Sequence, residues 1–257
     1  VAVMRSAARL SAAAHGRLMR ECRPGMAEYQ LASLFSHHCQ MNGAPQLAYQ
    51  SIVGGGNNAC VLHYVANDQP LRDGDLVLID AGCEVDCYAS DITRTFPVNG
   101  RFSEPQRILY ELVLEAQLAA IDKARAGNHW DDPHQAAVRV LTKGLLKLGL
   151  LRGTLAKALK NTSYTRFYMH RTGHWLGMDV HDVGDYKIDG HWRELEPGMV
   201  LTIEPGLYIP HGAKGVAKKW QGIGIRIEDD VLVTRDAPDV LSRDAPKTVD
   251  EIEAVMA

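Results

Sequence analysis

Hydrophobic and polar positions divide the chain into two rounds of helix, helix and strands. Residues 3–22 are Ala-rich, with Val3, Ala7, Leu10, Ala14 and Leu18 at helical spacing and Pro24-Gly25 as the stop. A second helix is predicted over 26–41, with Leu31, Leu34, Phe35 and His38 on one face and Asn42-Gly43 closing it. Gly54-Gly55-Gly56 followed by Asn57-Asn58 requires unusual backbone angles and predicts a loop, after which 59–62 reads as an apolar strand closed by His63. Residues 76–79 form a short continuous apolar run between Asp73-Gly74 and Gly82, the pattern of a buried strand. Ser103-Glu104-Pro105-Gln106 is a capping box opening a helix to about 124, and 133–148 is the next helix, ended by Gly149. Residues 153–161 read as a polar, partly helical connector. Strands are expected over 202–208 and 223–233, separated by an exposed charged excursion at 211–221, and a short helix closes the chain at 249–256.

One stretch occurs twice. Leu71-Arg72-Asp73-Gly74-Asp75-Leu76-Val77-Leu78-Ile79-Asp80-Ala81-Gly82 lines up without gaps on Leu195-Glu196-Pro197-Gly198-Met199-Val200-Leu201-Thr202-Ile203-Glu204-Pro205-Gly206. Each copy is a Gly turn, an apolar strand, an acid, a small or imino residue and a Gly, so Asp80 corresponds to Glu204. A second acid follows each copy on another expected strand, Asp91 in the first and Glu228 in the second. The period is too long for a solenoid. It fits one α+β domain spanning 1–257, built of halves at approximately 1–100 and 101–257 whose equivalent acids meet at a pseudo-twofold axis.

Composition narrows the setting. With 28 basic and 31 acidic residues the net charge is −3, and no basic block points to nucleic acid. No apolar run is long enough to span a bilayer, and Val1-Ala2-Val3-Met4-Arg5 lacks the order of a signal peptide. Five cysteines, an odd number without any Cys-x-x-Cys, read as free thiols of a cytoplasmic protein, with Cys22, Cys39 and Cys60 as core packing. The first residue is not Met, consistent with processing or with a segment of a longer protein.

The acids carry the chemistry. A buried strand ending in an unpaired carboxylate is costly, so Asp80 needs a cation that Asp91 can share. The second half adds Glu204, Glu228 and a His-rich stretch, with His170, His174 and His181 between Met169 and Asp182. Gly173 and Gly177 there predict a loop with a short helix, and no Glu follows His170 as in helical zinc peptidases. The ligand set Asp80, Asp91, His174, Glu204 and Glu228 suits two divalent ions of the Mn(II), Co(II) or Zn(II) kind. Such a pair can activate a water for attack on a polarised carbonyl. A Mg or Ca site without catalysis is disfavoured by the imidazole, and no nucleophile elbow or phosphate loop is present.

These residues and their flanking text, at 51–64, 71–100, 170–184, 195–209 and 222–231, resemble the metal-dependent pita-bread peptidases, most closely the bacterial Xaa-Pro aminopeptidase (aminopeptidase P) branch. The resemblance implies a pita-bread α+β fold and a dinuclear Mn(II) centre. Asp80 would ligate one ion, His174 and Glu204 mainly the other, and Asp91 and Glu228 would bridge. It further implies that His63 and His181 hydrogen-bond the substrate or the tetrahedral intermediate, that His170 shapes the proline pocket, that Arg226 orients site and substrate, and that Tyr208 supports the cluster. His63, His181 and Glu204 would be the catalytic set, with Glu204 handling the proton of the attacking water. His63, His170, His181, Arg226 and Tyr208 would be the substrate-binding set. The implied substrate is a peptide with proline second, and a homo-oligomer is compatible with the family.

Two departures stand out. The family's proline-specific members usually carry an N-terminal domain, which is expected to be absent here, with Val1 at the start of the catalytic domain. Arg171 stands where many relatives have Gly, so a long cation lies beside the proline pocket. Prolidase, type I methionine aminopeptidase and a metal-free binding module are the competing readings. The text from Asp91 to Val98 and from Met178 to Gly184 favours the proline-specific branches over methionine removal.

Overall fold

Helix α1 (Ala2–Glu21) and helix α2 (Glu28–Met41) form where the two periodicities predict them, in a computed structural model that describes residues 1–257. α1 buries Ala7, Ala14, Leu18 and Met19, and α2 packs beside it through Leu31, Phe35 and Cys39. The first residue of α2, Glu28, is fully buried. Its carboxylate accepts from the Gly55 N–H and Asn58 amide at 2.8 and 3.0 Å, and from the Tyr64 hydroxyl and Gln69 N–H at 2.9 and 3.0 Å. Four donors compensate the buried charge and tie the loop bearing His63 to the helix start.

The first half continues with β1 (Gln46–Leu47), β2 (Ile52–Gly55), β3 (Leu76–Asp80), β4 (Cys83–Val85), β5 (Tyr88–Ala89) and β6 (Thr93–Pro97). β2, β3 and β6 make an antiparallel sheet in that order, with Asp80 opposite both Ile52 and Thr93. Helices α3 (Glu104–Ile121), α4 (Asp132–Lys147) and α5 (Leu155–Lys160) follow, α3 opening on the Ser103/Gln106 capping box. The second half has β7 (Lys187–Ile188), β8 (His191–Trp192), β9 (Val200–Ile203), β10 (Gly206–Ile209), β11 (Ile223–Arg226), β12 (Asp229–Leu232), β13 (Asp239–Val240) and α6 (Val249–Met256).

The sequence repeat reappears as topology. Trp175 bridges to Leu201 and β12 pairs with the other edge of β9, so the segment at Trp175, β9 and β12 reproduce the order β2, β3, β6. Between the two acids of each half lies a hairpin, β4–β5 in the first and β10–β11 in the second. Side chains of both halves, including Val53, Ile79, Phe96, Ile203, Ile225 and Val231, enter one continuous apolar core with the helices.

Several expectations change. Residues 59–62 are not a strand: Gly56–Cys60 is a 3-10 turn, and His63 follows in a loop. The expected strand over 223–233 is two strands that join different sheets, broken at Ile227-Glu228. Residues 202–208 likewise split into β9 and β10 at Glu204-Pro205. Asp91 precedes β6 instead of lying on it, and the His-rich stretch contains no helix. Glu204 and Glu228 sit where the chain passes from one sheet to another, whereas Asp80 ends β3 while still paired on both sides.

Candidate metal centre

Asp80, Asp91, His174, Glu204 and Glu228 line one cavity of about 460 Å³, together with His63, His170, His181 and Arg226. Asp91, His174 and Glu228 each offer a ligand atom, all within 4.8 Å of one another. His174 Nε2 lies 3.3 Å from Asp91 and 4.0 Å from Glu204. Asp80 and Asp91 share the Tyr49 hydroxyl as donor, at 2.6 and 2.5 Å.

Contacts across the seam between the halves hold the acids. The Glu228 N–H donates to the Thr93 carbonyl at 3.1 Å, and the Thr93 hydroxyl donates to the Glu228 carboxylate at 2.6 Å. The Asp91 N–H donates to the Asp230 carboxylate at 3.1 Å. Glycines permit the approach. A Cβ on Gly82 would lie 1.8 Å from the Ser90 carbonyl oxygen, and one on Gly173 would lie 1.9 Å from that of Thr202.

Crowded, buried carboxylates cannot all ionise cheaply. Burial first, then the other acids, push Glu228 well above the ordinary carboxylate range, and burial with Asp91 raises Asp80 against the opposing pull of Arg226. Burial raises Glu204 to about 7. For His174, burial alone would favour the neutral ring, but Asp91 and Glu204 outweigh it and lift the pKa to about 9. Its Nδ1–H is 2.9 Å from the Trp175 carbonyl, which fixes the proton there and turns Nε2 toward the acids. A donor set of four carboxylates and one imidazole, strained by its own charge, fits divalent cations.

The remaining site residues form a directional relay. His170 Nδ1 is 2.7 Å from the Arg171 carbonyl, which can only accept, so Nδ1 carries the proton. Burial, then Arg226, lowers its pKa to about 3, so the ring is neutral and Nε2 accepts from the Tyr208 hydroxyl at 2.8 Å. The Tyr208 oxygen in turn accepts from Arg226 Nη1 at 3.1 Å. Arg226 also donates to Asp80 at 2.6 Å and to Thr93 Oγ1 at 3.1 Å. Tyr208 is fully buried and does not line the cavity, so it holds His170 from behind and does not face a substrate. His181 packs edge-on against His174, ring centroids 4.3 Å apart, and both His63 and His181 are exposed at the cavity's edge.

Sequence reasoning missed Tyr49, Thr93, Asp230 and the cavity wall of Trp130, Tyr186 and Trp192. Thr93 and Asp230 lie within two residues of Asp91 and Glu228, which was the signal available for them. Tyr49 lies far from the acids in sequence and carries no motif.

The model of metallopeptidase family M24 matches residues 2–235. The Xaa-Pro aminopeptidase of Haemophilus influenzae is 48% identical over 256 residues, covering 100% of this chain and 59% of that protein. That of Escherichia coli K12 is 48% identical, with 100% and 58% covered. The chain therefore spans less than two thirds of the length of these relatives. The solved Pseudomonas aeruginosa aminopeptidase PepP is 59% identical with a TM-score of 0.98, over 99% of this chain and 58% of that one. The mixed architecture is thus the pita-bread fold that the resemblance implies. On this sequence and structural likeness the chain belongs to metallopeptidase family M24.

Proposed function

We propose that the chain is the catalytic unit of a dinuclear metallopeptidase that hydrolyses the Xaa-Pro bond at the N-terminus of peptides in the cytoplasm. The observation that carries this reading is the convergence of Asp80, Asp91, His174, Glu204 and Glu228 on one cavity beside a neutral, rigidly held His170. The names of the relatives support it. Helices offer no membrane span, none being long and apolar enough.

Asp80, Asp91, His174, Glu204 and Glu228 would together hold two divalent ions. When bound, the ions, Mn(II) in preference to Co(II) or Zn(II), supply the charge that the acids require and an activated water near neutral pH. Glu204, which lines the same cavity, would take the proton of the attacking water and return it. An Xaa-Pro bond is a tertiary amide without an N–H, so recognition rests on shape. His170, locked between the Arg171 carbonyl and Tyr208, presents a fixed wall for the proline ring. His63 and His181 face the cavity from its exposed edge, where they can hydrogen-bond the scissile carbonyl and the departing nitrogen.

The test is release of the N-terminal residue from an Xaa-Pro dipeptide, an Xaa-Pro tripeptide and a Met-Ala tripeptide, in Mn(II) and after chelation. Metal-dependent cleavage of the Xaa-Pro tripeptide is expected. Cleavage of the dipeptide alone would instead mark a prolidase, and of Met-Ala alone a methionine aminopeptidase. Two ions bound without cleavage of any peptide would refute the reading that this chain by itself cleaves Xaa-Pro peptides.

A further inference from the structure

The outer lip of the cavity carries positive charge that the chemistry at its floor does not use. Arg171 lines it, its guanidinium ion-paired to Asp131 through Nη2 and lying 5.0 Å from the centre of the Trp192 ring. Lys187 brings a second cation to 4.2 Å from the same ring. Trp192 is placed there by the β7–β8 hairpin, whose Asp189-Gly190 turn has both residues at positive φ, 51° and 80°. The other N–H groups of Arg171 make no hydrogen bond within the protein, and Lys187 makes neither a hydrogen bond nor an ion pair. Asp131 offsets one of the two cations, so one positive charge is left over around an indole that lines the cavity.

The polarity is graded: carboxylates at the floor, cations at the lip. Arg171 follows His170 directly, so it stands just beyond the wall assigned to the proline ring. We propose that Arg171, Lys187 and Trp192 form a subsite for a carboxylate carried by the residue after the proline, and so set a preference for short peptides with a free C-terminus. This rests on the Xaa-Pro peptidase reading above. The guanidinium is held between Trp192 and Asp131, which lowers the ordering cost of a bidentate contact. Because the Arg171 side chain is 46% exposed, the gain is set at the low end for a charge-assisted hydrogen bond, about tenfold.

The experiment compares Ala-Pro-Ala, Ala-Pro-Ala-amide and Ala-Pro-Glu-amide as substrates of the protein and of its Arg171→Gln and Lys187→Gln variants. The free acid should have a kcat/KM about tenfold above that of the amide, expressed in KM, and both variants should shrink that ratio. Recovery with the Glu-amide would show that a side-chain carboxylate serves equally, and its failure would confine the subsite to the C-terminus. Equal kcat/KM for all three peptides, or a ratio unchanged in both variants, would overturn the proposal. Calorimetric binding of Pro-Ala against Pro-Ala-amide reads the same preference without turnover. If no peptide is cleaved, the peptidase reading fails while that binding ratio still decides the subsite.

Discussion

Replacing Asp229 by Asn tests whether the seam beneath the metal centre is held by a buried charge network. Asp229 and Arg94 are both fully buried and pair at 2.7 Å. The carboxylate accepts four hydrogen bonds, from Arg94 and Ser242 on one oxygen and from Gln117 and Lys247 on the other. Arg94 spends its remaining donors on the carbonyls of Thr93, Glu228, Ala245 and Pro246. Burial alone would raise the Asp229 pKa, but Arg94 and Lys247 outweigh it and hold the carboxyl well below its ordinary range. Asn removes the only anion of the network and turns an NH2 toward donors, leaving Arg94 buried and unpaired. Breaking such a pair costs about 3–5 kcal/mol. Lys247, being 18% exposed, can swing to water and soften the loss, which favours the lower figure. Urea unfolding followed by tryptophan fluorescence should lose about 1 M in midpoint, taking a slope of roughly 3 kcal/mol/M. A depressed folded pKa gives stability that is present above the unfolded pKa of about 4 and lost as the pH falls below it, so wild type and variant should converge in acid. A loss under about 1 kcal/mol at neutral pH would refute the reasoning.

Three further perturbations probe the site and its frame. Gly173→Ala should push His174 off β9, since its Cβ meets the Thr202 carbonyl at 1.9 Å; titration with Mn(II) should show affinity reduced at least tenfold, and unfolding a loss of about 1–3 kcal/mol. Tyr49→Phe removes the hydroxyl shared by Asp80 and Asp91, and the same titration should show affinity lower by roughly tenfold with little change in far-UV circular dichroism. His15 is fully buried, donates from Nε2 to the Ala81 carbonyl at 3.0 Å, and is pushed by burial down to about 4. The unfolded chain therefore binds a proton between pH 6.5 and 4 that the native state refuses, and stability should fall by about 3 kcal/mol as the pH drops through that window. In His15→Gln that slope should be shallower when stability is measured against pH.

Both acid pairs are legible in the repeat, because the motif of acid, small residue and Gly reflects a fixed construction. The acid leaves the strand, and the Gly lets a hairpin fold back so that a second acid returns beside the first. Gly82 meets Ser90 this way, and Gly206 meets the Ile225 carbonyl, 2.7 Å from where its Cβ would be. What the sequence hid was the environment of each acid. Residues 223–233 read as one strand because apolar positions continue through them, yet Arg226, Glu228, Asp229 and Asp230 are all buried there by partners from the other half. The expected strand at 59–62 failed for a related reason. Ala59 lies against β11, where a Cβ on Gly224 would come within 2.3 Å of the Ala59 carbonyl oxygen, so a tertiary contact and the positive φ of Gly56 curl the segment. Glu28 carries no motif, and nothing in its sequence neighbourhood announces that it anchors the His63 loop.

Neither half could make this centre alone. Three of the four acids take a contact from the opposite half: Arg226 reaches Asp80, Asp230 receives the Asp91 N–H, and Thr93 receives the Glu228 N–H while donating its hydroxyl to the same residue. The apolar core brings the halves together, and in doing so gathers carboxylates whose raised pKa values record their repulsion and burial. Core formation and cation binding therefore act on the same seam with opposite electrostatic sign, one concentrating negative charge and the other relieving it. Cation binding at this cavity would for that reason be coupled to the docking of the two halves.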